Sequence, residues 1–373
     1  MTRVRKSAFN VREKLTELGR RFGLKGSELV GAETVQDARD LVSAGRRNLI
    51  INGDMRVSQR LGSSGENDLT STADGFGVDR FRSWQAGGGE LKLQQSTNAP
   101  PGFTNSLLNT VNTADTSVAA GDYYTIQQRI EGLNTHQLNW GTSYAKDVTL
   151  SFWVRSTVSG VYSVSLWPSA QSHNYVTSYK INKVNTWEYK TITIPGPVGG
   201  TWATNNGTGI GIWWDLGSGT DYSTATTETW GQNSKFRVPI QTSWIGTGSA
   251  EFRIAGVQLE VGKNATEFEH RPIGEELALC QRYYVEDSTG NADHPLMYFF
   301  QYSSGYRMLQ IPYPVPMRTS TPTVTLTMGT GSSTTGLAQN YHRTEFQYKE
   351  YVNVAHDSST SAYIVGYTAS AEL

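Results

Sequence analysis

The stretch Val148-Thr-Leu-Ser-Phe-Trp-Val-Arg-Ser156 alternates strictly. Leu150, Phe152 and Val154 face one way, while Ser151, Trp153 and Arg155 face the other. A period of two is the pattern of a strand with one face on a core. Working outward from this strand (147–155), the same kind of segment recurs at 48–59, 78–84, 89–96, 121–130, 160–167, 175–181, 187–194, 209–215 and 250–261. Turn signals separate them: Gly87-Gly88-Gly89, Ser159-Gly160, Pro195-Gly196-Pro197 and Gly199-Gly200. Short strands at such spacing, with no helical pattern between them, predict a β-sandwich.

Both flanks read differently. After Gly262 comes a linker and a short helix over Ile273–Gln281. A second β module follows, with strands at 282–286, 296–302, 305–311, 322–328, 343–354 and 361–368. Ile311-Pro-Tyr-Pro-Val-Pro has Pro at alternate positions, which confines it to a sheet edge or an extended arm. Thr330–Thr335 reads as a hairpin loop. On the other side, Ala8, Val11, Leu15, Leu18 and Phe22 form one helical stripe, capped by Ser7 and ended by Gly23. A second short helix is expected over Val35–Val42, with Thr34 as its cap. Neither helix buries its stripe alone. The expected organisation is a basic helical segment over 1–47, a sandwich over 48–270 and a C-terminal β module over 271–373.

Charge is divided along the same lines. Residues 1–47 hold 11 Lys/Arg and 6 Asp/Glu, and the rest hold 21 and 27, so the overall net of −1 is a cancellation. The positive start is expected to attach to another protein or to copies of itself. Arg3, Arg5, Lys6, Arg12, Arg20, Arg21 and Phe22 are its candidate docking residues. A near-neutral chain gives no reason to expect a nucleic-acid partner. No apolar run is long enough to span a membrane, so no insertion is expected. The start lacks the apolar run of a signal peptide, so synthesis in a cytoplasm is expected. The lone Cys280 rules out an intramolecular disulfide and a four-Cys zinc site, and reads as a buried thiol.

The catalytic motifs searched for are not found. The six His are scattered, with no metal-ligating i, i+4 pair. Neither a Gly-x-Ser-x-Gly elbow nor a phosphate-binding Gly-x-x-x-x-Gly-Lys occurs. No catalytic residue, metal ligand or cofactor is assigned, and a non-enzymatic protein is expected. Asp215 and Asp221 flank the Gly217-Ser-Gly219 loop beside Tyr222. They suit an acid/base pair, a cation or sugar hydroxyls, or they simply form the turn. The positive signal is aromatic. Trp140, Trp202 and Trp230 each sit in a loop among small polar residues, the setting in which a ring covers a sugar's C–H face while amides and hydroxyls bond its hydroxyls. The competing reading is that these rings close the end of the sandwich. Trp153, Trp167 and Trp187 lie within strands and read as packing.

Asn48-Leu-Ile-Ile-Asn-Gly-Asp-Met-Arg-Val-Ser-Gln-Arg60 resembles the opening of jelly-roll domains in phage tail fibres and other virion appendages, which are related to carbohydrate-binding modules. The resemblance continues through Val78-Asp-Arg-Phe, Gln128-Arg-Ile-Glu-Gly-Leu, the Val148 strand, Asn185-Thr-Trp-Glu-Tyr-Lys and Phe252-Arg-Ile-Ala-Gly-Val-Gln-Leu-Glu-Val-Gly. It runs on through Phe268-Glu-His-Arg-Pro, Glu275-Glu-Leu-Ala-Leu-Cys-Gln-Arg-Tyr-Tyr, Val315-Pro-Met-Arg and Thr368-Ala-Ser-Ala-Glu-Leu, so it spans 48–373. It implies a jelly roll with a small C-terminal β module in a virion structural protein, often trimeric, with host-surface glycan as an expected ligand. It also implies portal, adaptor or capsid as the partner of the N-terminus, and the tail or capsid surface as the location. A tail fibre is the first expectation, a capsid-surface fibre or decoration protein the second, and a glycan depolymerase the third. Related sugar-binding modules often place a calcium-binding Asp in the closing strand. Here that strand reads Ala255-Gly-Val-Gln-Leu-Glu, without one.

Overall fold

The computed structural model describes residues 47–288, 297–299, 305–328, 334–354 and 362–373. The two helices expected near the N-terminus, the candidate docking residues Arg3, Arg5, Lys6, Arg12, Arg20, Arg21 and Phe22, and most of the loop expected over 330–335 lie outside them. Asn48–Leu373 forms one compact unit.

Twelve antiparallel strands build a sandwich. One sheet contains β1 (Glu66–Leu69), β4 (Glu90–Ser96), β5 (Ser106–Thr113), β12 (Glu251–Val261), β7 (Val148–Ser156) and β10 (Glu188–Ile194), in that order. The other contains β2 (Ala73–Val78), β3 (Phe81–Ala86), β6 (Tyr123–Glu131), β11 (Thr208–Asp215), β8 (Gly160–Trp167) and β9 (Tyr175–Ile181). Consecutive strands cross repeatedly between the sheets, as a jelly roll requires. The decisive strand behaves as its pattern demands: Leu150, Phe152 and Val154 are fully buried. Phe152 meets Trp214 of the facing sheet edge-on, with centroids 5.8 Å apart. Burying each such side chain contributes about 1.5–3 kcal/mol.

The strand expected over 78–84 straddles the turn between β2 and β3, and β1 was not expected. Two larger expectations in the sandwich are corrected. Residues 48–59 form no strand of either sheet. They run beside an irregularity in β12 between Ala255 and Gln258, where the ladder register shifts. There Leu49 N–H donates to the Leu259 carbonyl and Val257 N–H to that of Gly53, both at 2.9 Å. The Asn48 and Asn52 carboxamides replace the missing ladder bonds. Asn48 bonds Ile50, Val257 and Leu259, and Asn52 bonds Val57 and Asp79. The second correction is β5, which was not expected. Its inward face carries Asn109 between Leu107 and Val111, which breaks the apolar alternation. Ser83 donates to Asn109 Oδ1 at 2.6 Å inside the core, while the Asn109 NH₂ stays buried without a hydrogen-bond partner.

The C-terminal part begins with α1 (Ile273–Gln281), which buries Cys280 among Ile51, Val57 and Tyr283. β19 (Ala362–Ser370) pairs with β13 (Tyr284–Ser288) and β14 (Met297–Phe299), and separately with β16 (Thr323–Met328). β18 (Gln347–Val354) lies between β15 (Gly305–Pro312) and β17 (Thr334–Arg343). β15 is thus an edge strand that stops at Pro312, and Pro314 and Pro316 lie beyond it, outside any strand. The strand expected over 343–354 is the shorter β18, and β17, which ends at Arg343, was not expected.

Charged groups join this part to the sandwich. Glu131, at the end of β6, accepts from Arg282 Nε at 2.9 Å, Arg282 Nη2 at 2.6 Å and the Tyr283 hydroxyl at 2.8 Å. Arg80 and Arg60 both pair with Glu372, and their guanidinium groups lie 3.6 Å over the rings of Tyr283 and Tyr284.

Candidate functional site

The three loop tryptophans meet at one end of the sandwich. Trp140 and Trp202 have centroids 4.7 Å apart at 76°, and Trp230 lies 5.4 Å from each, also edge to face. Each indole N–H is committed to a backbone carbonyl: Trp140 to Lys146 at 2.8 Å, Trp202 to Gly199 at 3.1 Å and Trp230 to Pro195 at 2.7 Å. These bonds hold the loops and leave only ring carbon to offer a ligand.

Their roles then diverge. Trp140 is 8% exposed and belongs to the sandwich core, whereas Trp202 and Trp230 are half-buried against it. Trp140 and Trp202 line a cleft of about 160 Å³ whose floor is Leu138 and Ile210. Trp230 is not in its lining. It backs the pair, packed on Tyr175 and stacked parallel to His173.

The loops approach closely because Gly141 permits it. Its φ is +87°, and a Cβ there would sit 2.8 Å from the Gly200 carbonyl oxygen and 3.2 Å from the Trp202 ring. Gly141 N–H also donates to the Pro197 carbonyl at 2.8 Å.

The polar lining comes from the same loops. The His136 Nδ1 lies 2.8 Å from the Leu133 carbonyl. A carbonyl only accepts, so Nδ1 carries a hydrogen, and in the neutral ring Nε2 is then an acceptor. The carboxamide of Asn139 and the hydroxyl of Thr204 sit in exposed residues lining the cleft. Thr142 is already engaged with the Asn139 carbonyl at 2.7 Å. Sequence reading selected the rings and passed over His136, Asn139 and Thr204. The signal was adjacency: Asn139 and Thr204 fall in the same short loops as the chosen tryptophans.

Asp215, Asp221 and Tyr222 lie elsewhere. Trp202 precedes the first residue of β11 and Asp215 is its last. The eight-residue strand holds its ends about 23 Å apart. Asp215 is fully buried and accepts from Ser218 N–H at 3.2 Å and Gly217 N–H at 3.4 Å, so it forms the turn and presents no carboxylate to the surface. Burial pushes its carboxyl up to about 6, against hydrogen bonding from Ser218 and the charge of Arg237. Asp221 is exposed, and its backbone carbonyl accepts from Lys235. Tyr222 stacks on Phe236 at 4.5 Å and donates to the Gly121 carbonyl at 3.1 Å.

Tyr222 belongs to an aromatic layer on the outer face of the β11 sheet that sequence reading did not identify. Phe236 caps Trp213 at 4.7 Å, and Trp213 packs on Trp167 at 4.6 Å. Both tryptophans are buried by the chain's own loop. Trp153 packs beside Tyr189 on the opposite sheet, and Trp187 donates to Asn98 at 3.3 Å.

Among the described residues no cluster of three His, Cys, Asp or Glu is placed to hold a metal, and no helix is long and apolar enough to cross a membrane.

The fold and the cleft thus define a jelly-roll β-sandwich with an aromatic-walled end cleft and a second, smaller β module. No family model matches the sequence. None of the curated proteins compared matches it. Solved structures do align. Tailspike protein 4 of bacteriophage CBA120, an enzymatically active domain, is 12% identical over 57% of this chain and 21% of that chain, with a TM-score of 0.30. This chain therefore spans about a fifth of that tailspike's length. A family 11 carbohydrate-binding module of a Clostridium thermocellum cellulosomal cellulase is 14% identical over 55% of this chain and 100% of that chain, with a TM-score of 0.27. A cyclase from Fischerella sp. is 11% identical over 59% and 98%, with a TM-score of 0.31. The sandwich assignment itself rests on the strand pairing.

Proposed function

We propose that this chain is a non-enzymatic virion appendage protein, a homotrimeric tail fibre whose basic N-terminus docks on the particle and whose sandwich contacts host-surface glycans. The observation that carries the glycan contact is the cleft. It combines the carbon faces of Trp140 and Trp202 with a ring-nitrogen acceptor, a carboxamide and a hydroxyl. That is the pairing of apolar wall and sparse polar groups that a sugar ring needs. Its lining holds no Asp or Glu, so a hydrolytic carboxylate pair has no place in it. The virion assignment is supported by the ordered run of tail-fibre-like stretches from Asn48 to Leu373 and by the positive charge of residues 1–47. Three clefts per trimer would turn weak single-site contacts into firm attachment.

A glycan array with the full chain tests the binding. The parent is expected to label host-surface glycans, and Trp202→Ala, which removes one wall, is expected to lose that labelling. Equal labelling by both proteins would remove the cleft from the proposal. An imaged particle lacking this chain on tail and capsid alike would remove the virion role.

A further inference from the structure

We infer that the cleft takes the end of a glycan, a single neutral terminal monosaccharide, and not a stretch from the middle of a chain. This inference rests on the glycan-binding reading above and specifies the ligand of that same cleft. Four features carry it. The first is size: about 160 Å³ is roughly half the lower limit of the about 300–1,000 Å³ that enclose a drug-sized ligand. One ring fits, and a run of rings does not.

The second feature is ring geometry. A polysaccharide lying along a surface needs successive platforms, each facing its own sugar. Trp140 and Trp202 are tilted at 76° to each other, so a sugar ring lies flat on one of them and meets the other edge-on. Trp230 stands at 89° to Trp202, behind the pair and outside the lining. No row of faces is available.

Third, the cleft is blind. Its floor is Leu138 and Ile210, both core residues, and Trp140 closes one wall from within the core. The bond from Gly141 N–H to the Pro197 carbonyl, at 2.8 Å, ties the 139–142 loop to the loop preceding Trp202. A chain entering from solvent stops at the core.

The fourth feature is chemistry. A terminal sugar presents a hydroxyl that an internal sugar has lost to its glycosidic bond. The His136 Nε2 acceptor, the Asn139 carboxamide and the Thr204 hydroxyl supply more hydrogen-bonding capacity than an apolar pocket needs. The lining contains no Lys or Arg, and neutral His136 offers a carboxylate only an acceptor, so the cleft holds no permanent positive charge to favour an acidic sugar.

The test is titration of the full chain, followed by tryptophan fluorescence and backbone amide shifts. The probes are the methyl glycosides of glucose, galactose, mannose, N-acetylglucosamine and glucuronic acid. Linear oligosaccharides of two to six units ending in each of these sugars extend the series. At least one neutral methyl glycoside is expected to bind, with affinity changing less than about threefold as the chain lengthens. Trp202→Ala is expected to weaken binding at least about tenfold, which corresponds to about 1.4 kcal/mol. Asn139→Gly, which removes the carboxamide and keeps the left-handed backbone (φ +54°), and Thr204→Val are expected to weaken it about threefold with little change in melting temperature. An affinity that rises more than about tenfold with chain length, still lost in Trp202→Ala, overturns end recognition while leaving glycan binding intact. Tighter binding of the glucuronide than of every neutral glycoside overturns the neutral assignment. Binding by no saccharide of the panel overturns both this inference and the reading beneath it.

Discussion

Replacing Asp215 by Asn is expected to stabilise the protein, although it removes a native charge. The carboxyl is fully buried at the end of β11, where it accepts from the N–H groups of Gly217 and Ser218. Burial raises its pKa from 3.8 to about 6, so the folded state holds the proton more tightly than the unfolded state does. Below pH 3.8 the group is protonated in both states and costs nothing. Between 3.8 and 6 the folded protein pays progressively for ionisation. Above 6 the full difference applies, which is about 3 kcal/mol. Asn keeps an oxygen acceptor for Ser218 N–H and carries no charge at any pH. It brings a new NH₂ group, which without an acceptor costs about 1–3 kcal/mol. The Tyr179 hydroxyl, buried without a hydrogen-bond partner and within reach of the Asp215 charge, is the candidate acceptor. The assay is urea unfolding of both proteins from pH 4 to pH 8. Asp215→Asn should be more stable by up to about 3 kcal/mol at pH 7–8, with the gain fading toward pH 4. A variant less stable than the parent at pH 8, or a difference that does not vary with pH, would refute the reasoning.

Two further perturbations probe the seam between the sandwich and the C-terminal part. Arg282→Ala leaves Glu131, only 1% exposed, with the Tyr283 hydroxyl as its remaining partner, and should cost about 3–5 kcal/mol in thermal or urea unfolding. Arg282→Lys restores charge but not the two-pronged contact, and should recover only part of that loss. Cys280 is wholly buried on the inner face of α1, and its thiol is held well above the usual range by burial, reinforced by Asp79 and Glu276. Its reaction with an aromatic disulfide reagent should proceed at the rate of unfolding, and prompt labelling of the native protein would contradict the docking of α1 on Ile51 and Val57.

The sequence was most informative where a side chain's fate depends on its immediate neighbours. The alternation at Leu150, Phe152 and Val154, the limits of β8, β9 and α1, and the end of β15 at Pro312 all follow from local pattern and from what proline cannot donate. It was least informative where polar groups stand in for regular structure. Asn48 and Asn52 hold an irregular segment whose apolar residues read as a strand, and Asn109 sits in a core position that reads as a break.

The sequence by itself determined that the chain makes a β-sandwich with aromatic loops, because strand period and turn chemistry are written in adjacent residues. Only the tertiary structure decided which loops share an end. Strand order in the sheets is not chain order, so residues 140, 202 and 230 converge on one cleft. Asp215, thirteen residues beyond Trp202, is carried to the far end of β11 by the rigid rise of that strand. Burial then separated the roles of three similar tryptophans. Trp140 is held in the core, Trp230 stands behind, and Trp202 remains as the wall a ligand meets first.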